Sequence, residues 1–206
     1  MFQDADYLYM LLELFQGGEL FSWLLAERTL GGGACRFYTG CIVLALEAMH
    51  SSNNVYRDLK PENVLISKDG FLKIEDLGFA KKIQDGRTHT RCGSPEYVSP
   101  EMRSNNGHDL RTDLRSLGVF IYECLQGTTP FAAKKYVPCE PSVIPAANPC
   151  VTLSYVATYK KILSYKHHRK LRWYLSITPV AKHLLLKLMS DEPEAGSASD
   201  KIKTHK

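Results

Sequence analysis

The chain has 206 residues, 44% apolar and 23% charged, with a formal net charge of +4. That length buries a respectable core and most simply makes one domain. So modest a charge, with no concentrated basic stripe, argues against nucleic acid as a main partner, and the longest apolar runs, such as 41–46, are far too short to span a bilayer.

Residues 7–13, YLYMLLE, form an aromatic-rich apolar run that predicts a buried strand, broken by Gly17-Gly18. A brief helix is expected over 19–26. From Arg36 to His50, Phe37, Cys41, Leu44 and Ala48 recur at helical spacing and predict a core helix. The preceding Gly31-Gly32-Gly33 follows no strand and does not match G-x-G-x-x-G, so it reads as a loop rather than a phosphate cradle. Two β-prone runs, 63–67 and 71–74, flank Lys68-Asp69-Gly70, a strong hairpin signal. Residues 78–101 show little periodicity and predict a long ordered loop, of the kind that tends to be functional. Helical spacing resumes over 113–125, with Gly127 as its stop. The proline-rich stretch 132–152 reads as a surface insertion. Two further helices are expected, the second opening at Thr178-Pro179 and running through Leu184, Leu185 and Leu188. The small, polar tail 192–206 is expected to be disordered.

Chemistry concentrates around the hairpin. Asp58 and Asn63 precede it and Asp76 follows it, so its two ends can bring all three polar groups together. A carboxylate and an amide oxygen are hard ligands suited to Mg²⁺, with sites left for water and phosphate. The second carboxylate is then available to orient or deprotonate a hydroxyl nucleophile, and Lys60 can meet charge developing on a transferred phosphoryl group. That set of groups describes phosphoryl transfer.

Three ordered motifs carry a family resemblance. YRDLKPEN at 56–63, Asp76-Leu77-Gly78 and Ser99-Pro100-Glu101 resemble the H-R-D-L-x-x-x-N, D-F-G and A-P-E signatures of protein kinases. The lysine after Asp58-Leu59 resembles serine/threonine rather than tyrosine kinases. YLYMLLE, GGELFSWL, GFAKK and CGSPEYVSPE resemble the basophilic, cyclic-nucleotide-dependent group, and RFYTGCIVLALEAMH leans toward its cGMP-dependent branch. The likeness covers 2–131 well and 155–191 loosely.

The resemblance implies an α+β protein-kinase-like fold: mainly the α-rich C-terminal lobe, with a short β-hairpin at the catalytic cleft. It divides the chain into a catalytic domain over 1–191, with an insertion near 132–152, and the tail 192–206. It implies ATP and Mg²⁺ as cofactors. Asp58 becomes the catalytic base and Lys60 the contact to the transferred phosphate, while Asn63 and Asp76 hold metal. Glu13 and Phe15 lie along the hinge beside adenine, with Leu65 flooring the pocket. Arg57 and Lys81 receive a phosphate on Thr90, and Ser94 stands where the family usually has threonine. Glu19, Glu62 and Glu123 match carboxylates that grip arginines, which implies basic protein or peptide substrates. A cyclic-nucleotide regulatory region would lie outside this chain.

Departures from the family pattern are also visible. The glycine-rich loop, the V-A-I-K lysine and its partner glutamate have no counterpart from Phe2 onward, so the N-terminal lobe is expected to be largely absent. The chain alone is then expected to bind ATP poorly. The alternative to a working kinase is a catalytically inactive, truncated relative or pseudokinase acting as a binding scaffold. Asp113-Leu114-Arg115-Ser116 has an arginine where the family has an aromatic, and burying it unpaired would be costly. No arginine follows Asp191-Glu192-Pro193, so Glu101 is expected to lack its usual partner.

Six cysteines at irregular spacings, with no C-x-x-C pair and no basic-then-apolar leader before Asp4, point to free thiols and a cytoplasmic location. Cys139, Cys150, His167 and His168 fit no compact zinc pattern. The basic cluster 166–172 reads as a solvated helix end.

Overall fold

One helix buried on nearly every side, Arg111–Gln126, forms the spine of the structure. The computed structural model describes residues 1–103, 107–136, 151–153, 155–168, 171–190 and 202–204. Its elements in order are β1 (Phe2–Gln3), β2 (Leu8–Tyr9), α1 (Leu20–Glu27), α2 (Gly32–Ser51), β3 (Asn54–Val55), β4 (Val64–Ile66), β5 (Leu72–Ile74), β6 (Lys81–Lys82), α3 (Pro100–Arg103), α4 (Arg111–Gln126), β7 (Lys134–Tyr136), β8 (Val151–Leu153), α5 (Tyr155–His168) and α6 (Pro179–Leu188). The strands make two-stranded antiparallel ribbons, β1 with β2, β3 with β6, β4 with β5 and β7 with β8. The architecture is therefore α+β, with helices supplying the mass and ribbons the corners.

Helix α4 packs between α2 and α6. Its Leu117, Phe120 and Tyr122 join Ile42 and Leu46 of α2, Leu20 of α1, Leu59, Leu185 and Met189 in a core that solvent does not reach. A helix apolar or buried all round belongs in such a position. It stops at Gly127, whose φ of 72° places it in the left-handed region. A Cβ there would come within 2.4 Å of the Arg28 carbonyl oxygen. Gly127→Ala is therefore expected to destabilise the fold by about 1–3 kcal/mol, read as a lowered thermal midpoint.

Helix α2 is present but turns a different face inward. Phe37, Leu44 and Ala48 are exposed, and the buried stripe is Cys35, Thr39, Ile42, Val43 and Leu46. The helix also begins earlier than expected: Gly31 caps it and Gly32 and Gly33 form its first turn. Three glycines make a weak start, but the long buried stripe that follows supplies the stability, as tertiary packing generally does for helices.

The run 7–13 is not a buried strand. Only Leu8–Tyr9 pairs, with Phe2–Gln3, and Tyr7, Leu8, Tyr9, Met10, Leu11 and Leu12 are all exposed. Among the described residues nothing covers this face. The hairpin forms as expected, with Val64 opposite Ile74, Leu65 opposite Lys73 and Ile66 opposite Leu72. Within 78–101, the loop is punctuated by a 3-10 turn at Leu77–Phe79, by β6 and by the start of α3.

Arg115 is buried, at 1% exposure, but it is not uncompensated. Its Nη1 donates to the Met189 carbonyl at 2.7 Å, and its guanidinium lies 5.4 Å from the Phe131 ring and 5.5 Å from the Tyr165 ring. A charge-assisted hydrogen bond and two aromatic faces replace much of the lost hydration. Glu101, likewise, is not left without an interaction. Helix α6 starts as expected: Thr178 Oγ1 accepts from the Ala181 amide at 3.2 Å, and Pro179 takes the first helical position. Most of the insertion and tail lies outside the described residues, as do Cys139 and Cys150. In the tail, Ile202 packs on the core and Lys203 donates to Glu47 on α2.

Candidate active site

The loop between β3 and β4 is anchored from below by α4. Asp113, fully buried at the start of that helix, accepts the backbone amides of Tyr56 and Arg57, both at 2.8 Å. Its Oδ2 also lies 2.7 Å from His50 Nε2 at the end of α2. These contacts hold Arg57 at a φ of 72°, a conformation that a non-glycine residue keeps only when its surroundings impose it.

With the loop fixed, Asp58 is presented from a nearly closed position, 2% exposed. The Asn63 amide nitrogen donates to its Oδ2 at 2.8 Å, and Lys60 Nζ lies 3.1 Å from the same oxygen. On the other oxygen, the Ser94 hydroxyl and amide donate at 2.9 and 3.1 Å. Lys60 also reaches Ser94 Oγ, at 3.1 Å. The carboxylate, ammonium, amide and hydroxyl thus form one cluster. Gly93 permits this closure, since a Cβ on it would meet the Arg57 carbonyl oxygen at 2.6 Å. A carboxylate so held can orient a hydroxyl and accept its proton, with an ammonium alongside to meet negative charge.

The hairpin brings Asp76 toward the same place. The Glu75 amide donates to the Asn63 carbonyl at 3.0 Å, and the Tyr56 hydroxyl donates to the Glu75 carbonyl. Burial, with Asp58, Asp76 and Asp113 adding to it, pushes the Tyr56 phenol well above its ordinary range, so it stays a neutral donor. Asp76 itself is exposed and left-handed, at φ 51°, with Oδ1 accepting from the Gly78 amide at 3.1 Å. A metal ion would find hard oxygens here: the Asp76 carboxylate, and the Asn63 amide oxygen, whose nitrogen is turned to Asp58. Two protein oxygens suit Mg²⁺, which keeps waters and takes phosphate for its remaining positions.

Beside this cluster, Lys73 on β5 pairs with Glu13 and sits 4.9 Å over the Phe15 ring, opposite Leu65. Gly17 and Gly18 exchange backbone hydrogen bonds with Ile66, at 3.0 and 2.9 Å. The segment 13–18 and the hairpin are therefore joined by backbone and side-chain contacts.

Lys81 and Thr90 line a common cleft with Lys82, Arg87, Thr88 and His89. Arg57 is buried close by and donates through Nε to the Phe79 carbonyl at 2.7 Å, while its Nη1 has no hydrogen-bond partner among the described residues. Paired backbone hydrogen bonds between Thr88 and His108, at 2.8 and 2.9 Å, pin this loop to the body.

Of the three glutamates matched to arginine-gripping carboxylates, Glu62 and Glu123 lie near one another. Glu19 precedes α1 and bridges to Leu65. The third member of the acidic group is Glu96, which sequence reasoning passed over although it lies within CGSPEYVSPE. Burial pushes Glu62 above the usual carboxylate range. It pushes Glu123 up to about 8, with Glu62 and Glu96 adding repulsion, and Tyr97 donates to Glu123. Between pH 4.5 and 8 the unfolded chain releases this proton before the folded one, so Glu123 costs stability as pH rises through that window. Glu123→Gln is expected to match the parent near pH 4.5 and to exceed it at pH 8 in urea unfolding.

A helical lobe edged by a short hairpin, with a buried carboxylate, a lysine and metal-suited oxygens at its cleft, is the layout of a phosphotransferase of the protein-kinase class. The family model for the protein kinase domain matches residues 1–206, and the chain belongs to that family, on its serine/threonine side. It is 52% identical over 131 residues to the cGMP-dependent protein kinase, isozyme 2 forms cD5/T2, of Drosophila melanogaster, over 63% of this chain and 14% of that one. It is 48% identical over 132 residues to a cAMP-dependent protein kinase, catalytic subunit-like, of Caenorhabditis elegans, over 64% and 33%. Against cAMP-dependent protein kinase catalytic subunit 3 of Drosophila melanogaster the identity is 40% over 209 residues, covering 99% of this chain and 32% of the relative. The chain spans about a third or less of the length of these curated relatives. Among the described residues no helix is long and apolar enough to cross a membrane.

Proposed function

We propose that the chain transfers the terminal phosphoryl group of Mg·ATP to serine or threonine hydroxyls of basic proteins, in the manner of a cGMP-dependent protein kinase. The observation that carries this reading is the cluster of Asp58, Lys60, Asn63 and Ser94 within hydrogen-bond reach. Asp58 orients the incoming hydroxyl and takes its proton, and the Ser94 hydroxyl occupies that direction until substrate arrives. Lys60 meets charge on the transferred group. Asn63 and Asp76 hold the metal, which when bound neutralises the phosphate oxygens. Glu13, Phe15 and Leu65 form the adenine side.

Arg57, with Nη1 uncommitted, and Lys81 receive a phosphate on Thr90, which orders the loop around Ser94. Glu62 and Glu123, with Glu96, offer concentrated negative charge to arginines of the substrate, and Glu19 is assigned the same role. Cyclic-nucleotide control would come from a region outside this chain, and the setting is cytoplasmic.

A second reading, a silent relative that binds without phosphorylating, is favoured by one observation. Leu11, Leu12 and Leu14, which flank the adenine side, are 78–88% exposed. The two readings separate on phosphoryl transfer to an arginine-rich peptide with Mg·ATP. Transfer by the parent that Asp76→Ala abolishes supports the kinase; nucleotide binding without transfer in either protein supports the silent relative.

A further inference from the structure

Charge is unevenly distributed along this chain. Residues 141–190 carry eight lysines and arginines and no aspartate or glutamate, so the rest of the chain is net acidic. Within that stretch, residues 171–178 cross the C-terminal end of α4 and lead into α6. They are firmly held. The buried Gln126 side chain donates to the Leu175 carbonyl at 3.2 Å and accepts the Tyr174 and Leu175 amides at 2.8 and 2.9 Å. The Tyr122 hydroxyl donates to the Arg172 carbonyl, and the Trp173 and Tyr122 rings lie 5.5 Å apart. Lys182 of α6 stands 5.4 Å over the Trp173 ring, which ties the segment to that helix.

The clamp acts on backbone groups and leaves two side chains in solvent. Tyr174 is 62% exposed and Leu175 47% exposed, with Arg172 exposed beside them. On α6, Leu185 and Leu188 enter the core, while Val180, Leu186 and Lys187 turn outward. The result is a surface on which apolar side chains alternate with cations, on a backbone that cannot fold them away.

We propose that Arg172, Tyr174, Leu175, Val180, Leu186 and Lys187 form a docking surface for an anionic phospholipid membrane. Tyrosine, with an apolar ring and a polar tip, suits the boundary between acyl chains and headgroups. Leucine and valine enter the same layer, while lysine and arginine remain among the phosphates and carboxylates of the headgroups. The absence of acidic residues from 141–190 removes repulsion by the segment's own carboxylates. An acidic polypeptide would match the cations and leave the apolar side chains unmatched. The contact is peripheral, since among the described residues no helix is long and apolar enough to cross a membrane.

The surface is also separate from the cleft. Asp113, which supports the catalytic loop, lies at the other end of α4 from Gln126, roughly 20 Å away along the helix. Docking through the Gln126 end therefore does not engage the loop that carries Asp58.

The test sediments the whole chain with vesicles of phosphatidylcholine alone, and with vesicles holding about 30 mol% phosphatidylserine, at roughly physiological salt. The parent should bind the anionic vesicles, leave the neutral ones and be released as salt is raised. Arg172→Gln/Lys187→Gln should bind about 25-fold more weakly, at about fivefold for each cation. Tyr174→Ser/Leu175→Ser should bind at least about tenfold more weakly. Leu11→Ser/Leu12→Ser, in the other exposed apolar run, should bind as the parent does. All these side chains are exposed, and circular dichroism checks that each variant is folded. A parent that ignores anionic vesicles would overturn the proposal. So would binding that survives both of the first two double substitutions, or that only the Leu11 and Leu12 substitutions remove. Retention on immobilised polyglutamate without vesicle binding would assign the surface to an acidic protein, and would overturn it as well.

Discussion

Asp113→Ala is expected to lower the unfolding free energy by about 3–5 kcal/mol, the largest stability loss of any single substitution in the cleft. The residue is fully buried and accepts two backbone amides and one imidazole contact. Alanine removes every acceptor at once, leaving the Tyr56 and Arg57 amides in a place water does not reach. Each such orphaned donor costs on the order of 1–3 kcal/mol. The Arg57 backbone, held left-handed, then loses the contact that imposes its conformation. Asp113→Asn keeps one acceptor and should lose roughly half as much. Urea unfolding of the three proteins checks the order; an alanine variant within about 1 kcal/mol of the parent would show that the loop is held by something other than Asp113.

Local features of this site were legible in the sequence, and long-range ones were not. The hairpin follows from Asp-Gly between two β-prone runs, and it alone draws Asn63 and Asp76 together. Asp58, Lys60 and Asn63 stand within one short motif, so their convergence needed no tertiary knowledge. Asp113 lies 57 residues from Tyr56, and no periodicity marks it as the acceptor for the loop's amides. Glu96 was missed for a related reason. A single glutamate in an irregular loop has no pattern, and its partners Glu62 and Glu123 come from other elements.

Errors of burial have a common cause. Helix α2 carries apolar residues on two sides, so Phe37 and Leu44 looked as central as Ile42 and Leu46; only the neighbouring α4 decides between them. The run 7–13 is apolar enough for a core strand, yet burial needs a second layer as well as a suitable composition. Arg115 is the reverse case. Helix position alone said that a buried charge would be costly, whereas the Met189 carbonyl and the rings of Phe131 and Tyr165 arrive from elsewhere in the chain to receive it.

Asp58→Asn is expected to reduce the turnover of phosphoryl transfer by about 10²–10⁴-fold with little change in the KM for peptide. Asparagine preserves size and one acceptor, so the cluster with Lys60 and Ser94 survives in outline. It removes the negative charge and the capacity to take a proton. The substrate contacts proposed for Glu62, Glu96 and Glu123 involve none of those atoms, which is why the loss should appear in kcat rather than KM. Thermal unfolding separates this from damage to the fold, since Asp58→Asn, which keeps one acceptor, should lose clearly less than Asp113→Ala. If a folded Asp58→Asn protein retained turnover within about tenfold of the parent, the proton would have to leave by another route and Asp58 would be a positioning residue only.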